Sequence, residues 1–277
     1  MTTPTQYDRP RSLSEALALA GQPGTLAIAG GALTFGQMNL PYEHIVDLQD
    51  IPELKMVEAS EAGMRIGAAL PLSALLERDE LPAALKASLT RAISPNVLNG
   101  ASIGESLLLR TYPALREWFA ALIALGAAAE TADPRHGPGH RERHLLLTAG
   151  PKLEQEVITA LLLPAFEPRV ALGAAHVART PADAPIVNAA ACVHFDEQGR
   201  VKSAMAALGG VSAAPVDGFV LGSLSGWPLN RETAQAAAEQ IAAHLAPPDD
   251  YLGSSEYRQA MAAVCLMRAL EACQASQ

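Results

Sequence analysis

The stretch LAIAGGALTFG, from Leu26 to Gly36, decides how this chain is read. Apolar and small residues run straight into two glycines, as a buried strand runs into a tight turn. Such a turn leaves backbone N–H groups unpaired and pointing one way, an arrangement that binds phosphates. Gly30 and Gly31 suit that task, because a Cβ would block close approach. A second stretch, NGASIGES from Asn99 to Ser106, has the same character. There Ser102 offers a hydroxyl and Gly104 an N–H. Glu105, however, sets a negative charge beside any phosphate, a repulsion of about 1–4 kcal/mol unless the side chain turns away. Neither GxGxxG nor GxxxxGK[ST] occurs, so a Rossmann dinucleotide site and a P-loop are both unsupported. On these residues alone, a ligand cradle and an ordinary turn in a core both remain open.

The rest of the composition narrows the classes. A chain of 277 residues is long enough for two domains, and 49% hydrophobic with 18% charged residues excludes wholesale disorder. A net charge of -9 repels polyanions, which argues against nucleic-acid binding. No run approaches the roughly 18 apolar residues that span a bilayer. The opening MTTPTQYDRPRSLSEALALAG lacks the order of a secretion signal, so a cytoplasmic location is expected. Cys192, Cys265 and Cys273 form no CxxC pair and read as buried thiols. His136 and His140 lie four apart on a Gly/Pro-containing stretch without an evident third ligand, so no metal site is expected. No GxSxG elbow and no convincing acid, base or nucleophile stands out. A cofactor is expected to carry any redox or group-transfer chemistry.

Along the chain, Ser12 and Glu15 mark the start of a helix that Gly21 ends. Strands are expected at TLAIAGG, at His44–Leu48, at Met64–Leu70 and at Glu156–Pro164, and helices through PLSALLERDELPAALKASLTRAI and over Arg116–Ala127. Glu130–His144 reads as a polar loop. Ile186–Val216 reads as an antiparallel hairpin turning at Glu197–Arg200, and helices over Arg231–Leu245 and Ser255–Gln274 close the chain. This is an α+β protein with a boundary near residues 164–172.

Taken together, the segments resemble the FAD-binding, medium subunits of molybdenum hydroxylases, of the carbon monoxide dehydrogenase and xanthine dehydrogenase type. AGGALTFGQMNLPYEHIVDLQDIPEL (29–54) is similar to that family's opening, MRIGAALPLSAL (64–75) to its IGA stretch, and ISPNVLNGASIGES (93–106) to its SP.VRN.ATIGGN loop. FAALIALGAAAE (119–130) is similar to the apolar helix that follows. The stretch 182–216 resembles the start of the family's C-terminal domain, and DDYLGSSEYRQAMAAVCLMRAL (249–270) its closing signature. The resemblance covers almost the whole chain. It implies a PCMH-type FAD-binding domain over residues 1–168, made of two α+β subdomains split near residue 55, then a C-terminal α+β domain over 169–277 with an antiparallel sheet and helices. It also implies a role as an oxidoreductase subunit: electrons from a molybdenum-cofactor large subunit pass through 2Fe–2S clusters of a small subunit to FAD, and on to an external acceptor. A homo-oligomer of that complex is compatible with the resemblance.

In the family the two glycine loops hold the FAD diphosphate, so the resemblance nominates Ala29, Gly30, Gly31, Ala32, Leu33 and Thr34 from the first. From the second it nominates Ser102, Ile103, Gly104, Glu105 and Ser106. Ala32 stands where a hydroxyl is usual and Leu33 where a polar residue is usual, with Thr34 one position later. Glu105 replaces a glycine, Ser106 an asparagine, and Leu98 the arginine of the VRN element. Glu117 fills an acidic position near the adenosine end if one inserted residue is allowed, and Arg179 matches a basic position four before Asp183. These departures gather in the phosphate loops. They set a second expectation beside the first: a flavin-free structural or assembly homologue of the same subunit.

Overall fold

The computed structural model of the chain describes residues 4–34, 42–91, 93–148, 152–181 and 183–275. The segment 35–41 of the opening motif lies outside them. Two compact units divide the chain: one takes residues 1–78, 94–109 and 127–165, the other 79–93, 110–126 and 166–277.

The first unit contains two sheets. β1 (Gln6–Asp8), β2 (Thr25–Ile28) and β3 (His44–Asp47) form a parallel sheet in the order β1-β3-β2. Parallel strands need a crossover connection, and the helix Leu13–Ala20 supplies the one from β1 to β2, which lie on either side of β3. Ser12 caps that helix by accepting from the Glu15 amide at 3.3 Å. Its Leu13, Ala16 and Leu17 join Val46, Leu48, Ile51 and Leu54 in one core. Each fully buried leucine contributes about 1.5–3 kcal/mol. β3 is buried at every position, as the central strand of a covered parallel sheet must be.

The second sheet is antiparallel throughout: β4 (Val57–Ser60), β5 (Gly63–Gly67), β6 (Ala128–Ala132), β7 (Arg141–Leu145) and β8 (Val157–Pro164), in the order β4-β5-β8-β6-β7. Here the sequence reading needs correction. Glu130–His144 is not a loop but most of a hairpin, with β6 buried and β7 at the sheet edge. An edge strand shows one side to water, so Arg141 and Arg143 sit there without cost and hide the strand pattern.

In the second unit β9 (Val170–Val177), β10 (Val187–Phe195), β11 (Val201–Gly209) and β12 (Val216–Val220) form an antiparallel sheet in the order β12-β11-β10-β9. The expected hairpin turn is present: Asp196 Oδ1 accepts from the amides of Gln198 and Arg200, and Gly199 takes φ 73°. The helix Ser255–Ala275 lays Ala262, Cys265, Leu266, Ala269, Leu270 and Cys273 on this sheet, at helical spacing. All three cysteines are buried and free. The helix Arg116–Ala124, buried from Glu117 to Ala124, packs on the same sheet. That apolar helix carries residues 110–126 into the second unit, although they lie well before the boundary expected near 168. No helix among the described residues is long and apolar enough to cross a membrane.

Candidate functional site

The first glycine loop starts where β2 stops. Ala29 is buried, and Gly30 and Gly31 follow with φ of 97° and 99°, values that L side chains rarely adopt. A Cβ on Gly30 would lie 2.5 Å from the carbonyl oxygen of Gly100, so the first loop presses directly on the second. Ala32 remains exposed, whereas Leu33 and Thr34 turn inward and are buried.

The second stretch runs from the end of one short helix, Pro95–Gly100, into the first turn of another, Ile103–Leu108. The amides of residues 103–106 are already engaged. Ile103 N donates to Leu70 O at 2.9 Å and Gly104 N to Ala68 O at 2.8 Å. Glu105 N donates to the Ser102 hydroxyl at 3.1 Å, and Ser106 N to Ser102 O at 3.0 Å. Gly104 therefore serves packing: a Cβ there would stand 3.0 Å from the Ala68 side chain. The carbonyls of Ala68 and Leu70 were invisible to sequence reasoning, since they act through the main chain and leave no side-chain signature.

Glu105 occupies the centre of this arrangement. Its side chain does not turn away from the first loop but enters it. Oε1 accepts from the Leu33 amide at 3.0 Å and from the Thr34 amide at 2.6 Å. The residue is 1% exposed, and its other oxygen, Oε2, is buried without a hydrogen-bond partner among the described residues. Among them Thr34 Oγ1 is likewise buried without a partner. Among the described residues no acceptor pairs with the amides of Gly30, Gly31 or Ala32. Beside the loops is a cavity of about 80 Å³, lined by Ile28, Ala29, Ala68, Gly104, Glu105 and Ile158 among others. A pocket that encloses a drug-sized ligand has roughly 300–1,000 Å³.

The remaining two nominated residues belong to the second unit. Glu117 is buried on the helix Arg116–Ala124 and accepts from Arg91 Nη1 at 2.7 Å, with His176 Nδ1 3.6 Å away. Burial raises the Glu117 carboxyl pKa and the Arg91 charge opposes the rise. Burial and Arg91 together lower that of His176. Arg179 is exposed; it donates to Tyr251 O at 2.5 Å and lies over the Tyr251 ring. Neither shares a unit with the glycine loops.

The rings of His136 and His140 lie 4.9 Å apart between centres, tilted by 48°, and turn to separate carboxylates, Asp133 and Glu142. The structure instead gathers Glu142, His144 and Glu156, whose ligand-type atoms lie within 4.8 Å of one another. Those groups satisfy each other: His144 Nε2 is 3.4 Å from Glu156 Oε2, to which Thr131 also donates its hydroxyl.

Two glycine loops closing on each other at the end of a parallel strand, followed by an antiparallel α+β unit, define the class: a two-unit α+β protein with a glycine-lined bend at its first sheet. Residues 3–166 match the family described as the FAD binding domain in molybdopterin dehydrogenase, and residues 175–273 match the CO dehydrogenase flavoprotein C-terminal domain. The chain belongs to this FAD-binding family. It is 28% identical to the carbon monoxide dehydrogenase medium chain of Hydrogenophaga pseudoflava, over 96% of each chain. It is 26% identical to the xanthine dehydrogenase FAD-binding subunit of Escherichia coli O157:H7, over 91% of this chain and 90% of that one. A solved carbon monoxide dehydrogenase from H. pseudoflava superposes with a TM-score of 0.83 at 27% identity, covering 100% of this chain and 99% of that one. Quinoline 2-oxidoreductase from Pseudomonas putida 86 shares the fold, with a TM-score of 0.84 at 24% identity and coverage of 100% and 99%.

FAD is the family's cofactor, and this site fits its diphosphate in the main chain. Three first-loop amides lack an acceptor among the described residues, and two buried polar atoms lack partners. One side chain, that of Glu105, contests the fit.

Proposed function

We propose that this chain is the flavoprotein medium subunit of a molybdenum-hydroxylase-type complex in the cytoplasm, partnered by a molybdenum-cofactor large subunit and a 2Fe–2S small subunit. FAD, where bound, would supply the redox chemistry that links the iron–sulfur clusters of the complex to an external acceptor. The chain's own residues bind and orient. The amides of Gly30, Gly31 and Ala32, which have no acceptor among the described residues, would hold the diphosphate, and the buried Ile28 and Ala29 would help to keep water from it. The glycines hold the two loops in register. Full-length matches to medium chains and FAD-binding subunits support the reading, as do three buried thiols free of disulfides, which suit a reducing compartment.

The observation that carries the proposal is Gly30, at φ 97° and followed by Gly31 at 99°, set so close to the Gly100 carbonyl that a Cβ would lie 2.5 Å from its oxygen, an approach that requires a bare backbone at that position. The test is reconstitution. Purified chain mixed with FAD and freed of excess by gel filtration is expected to retain stoichiometric flavin, read from its visible absorption. Colourless protein with an unchanged melting temperature would overturn it. A second reading, the flavin-free structural subunit, is favoured by the carboxylate of Glu105 at the Leu33 and Thr34 amides. The same reconstitution separates the two.

A further inference from the structure

We infer that Glu105 is a resident competitor at the diphosphate seat: its carboxylate holds two main-chain amides that an anionic ligand needs, so occupancy by FAD depends on displacing one side chain. The inference rests on the flavin reading of this loop and adds a control to it.

A carboxylate oxygen accepting two main-chain N–H groups at 3.0 and 2.6 Å makes the contacts a phosphate oxygen makes in a glycine turn. The seat therefore recognises an anion, and the anion that fills it is part of the chain. Residue 105 is held in place from below. Its own amide is bonded to Ser102, and those of Ile103 and Gly104 to the carbonyls of Leu70 and Ala68, so the side chain emerges from a fixed backbone. An attached ligand competes at high effective concentration, without the association cost that free FAD bears.

The guest also fits poorly. Among the described residues the buried Oε2 has no hydrogen-bond partner, and neither has the neighbouring Thr34 Oγ1. An unpaired buried oxygen is costly, which leaves the Glu105 contact open to replacement by a ligand that satisfies more of the site. Both anions cannot stay. At a few ångströms they repel by about 1–4 kcal/mol in partly screened surroundings. FAD binding thus requires the carboxylate to leave Leu33 and Thr34, and the affinity of the natural chain is set below that of the same scaffold without it.

The experiment titrates the full chain, stripped of nucleotide, with FAD, with ADP as a diphosphate lacking flavin, and with adenosine lacking the diphosphate, using calorimetry. Wild type, Glu105→Gly and Glu105→Gln are compared, each checked by its melting curve. Glu105→Gly is expected to bind FAD and ADP about tenfold or more tightly than wild type, with adenosine unchanged. Glu105→Gln keeps the volume and loses the charge, and is expected to shift both ligands the same way by less. If Glu105→Gly does not fold, the sign of the Gln shift decides. Wild type binding FAD as tightly as the variants overturns the competition and leaves the flavin reading standing. FAD bound by the variants but not by wild type supports the competition and ends the flavin reading for the natural chain. FAD bound by none overturns both.

Discussion

Arg65 on β5 and Glu130 on β6 face each other across β8 through two hydrogen bonds, Nε to Oε2 at 3.2 Å and Nη2 to Oε1 at 2.7 Å. Thr159 on the intervening strand donates to the same Oε1 at 2.6 Å, and Arg141 on β7 reaches it at 3.2 Å. One carboxylate therefore ties together four of the five strands of the first unit's antiparallel sheet. Burial works to raise the Glu130 pKa, but hydrogen bonds from Arg65 and Thr159 and the charges of Arg65 and Arg141 outweigh it, leaving the pKa lowered. A carboxyl depressed in the folded state adds stability above its unfolded pKa and loses it as pH falls through the folded one. Glu130→Gln is thus expected to cost about 1–3 kcal/mol at neutral pH. Urea unfolding of wild type and variant should converge as the pH drops below the ordinary glutamate value of about 4. A pH-independent difference would show that the ionic contacts contribute little.

Arg258 plays the corresponding part in the second unit. It is 2% exposed; Nη2 donates to both oxygens of Asp250 at 2.7 and 2.8 Å, and Nη1 to Ile186 O at 2.8 Å and Gly210 O at 3.0 Å. The planar fork is what meets four acceptors at once. Arg258→Lys keeps the charge without the fork and is expected to lose an intermediate amount, and Arg258→Met about 2–5 kcal/mol, because two buried carbonyls lose their donor. Trp118, fully buried in the same unit, gives a fluorescence readout of unfolding. Equal stability of all three proteins would contradict this.

These two clusters show what the sequence could and could not convey. The GSSEYR stretch marked Arg258 as part of a signature, and the Ser12 cap and Asp196 turn were legible because partner and residue lie within four positions. Glu130 was not, since a β6–β7 hairpin with a charged edge strand has the composition of a loop. The apolar spacing of Arg116–Ala124 marks a helix but not the unit that the helix joins. An apolar face carries no address, and any sheet of suitable shape can cover it. At the glycine loops the bend was legible from Gly30 and Gly31. The direction of the Glu105 side chain was not, because its acceptor role depends on residues 71 and 72 positions away in the chain.

The three thiols provide a check on the second unit's packing. Burial pushes the pKa of Cys192, Cys265 and Cys273 up to about 12. Cys273 also donates to Ala191 O at 3.2 Å. Since the thiolate is the reactive species, a disulfide reagent at mildly alkaline pH is expected to modify none of them in the folded chain. All three should react in denaturant. Rapid labelling of native Cys265 or Cys273 would mean that the helix Ser255–Ala275 lifts from the sheet.

Gly30 tests the bend on which the flavin reading depends. Alanine there meets two penalties: a φ of 97°, and a Cβ 2.5 Å from a main-chain oxygen that cannot swing aside. Gly24 supplies the control, with φ 74° and open space where its Cβ would be. Gly24→Ala is expected to cost about 1–2 kcal/mol from backbone strain alone. Gly30→Ala bears that strain and must also part the first loop from Gly100, so its melting temperature should fall further. The same displacement moves the amides of Gly30 and Gly31, and FAD retention should fall with it, whereas Gly24→Ala keeps its flavin. Two variants equally stable and equally flavin-loaded would show that contact between the loops is not what shapes the seat.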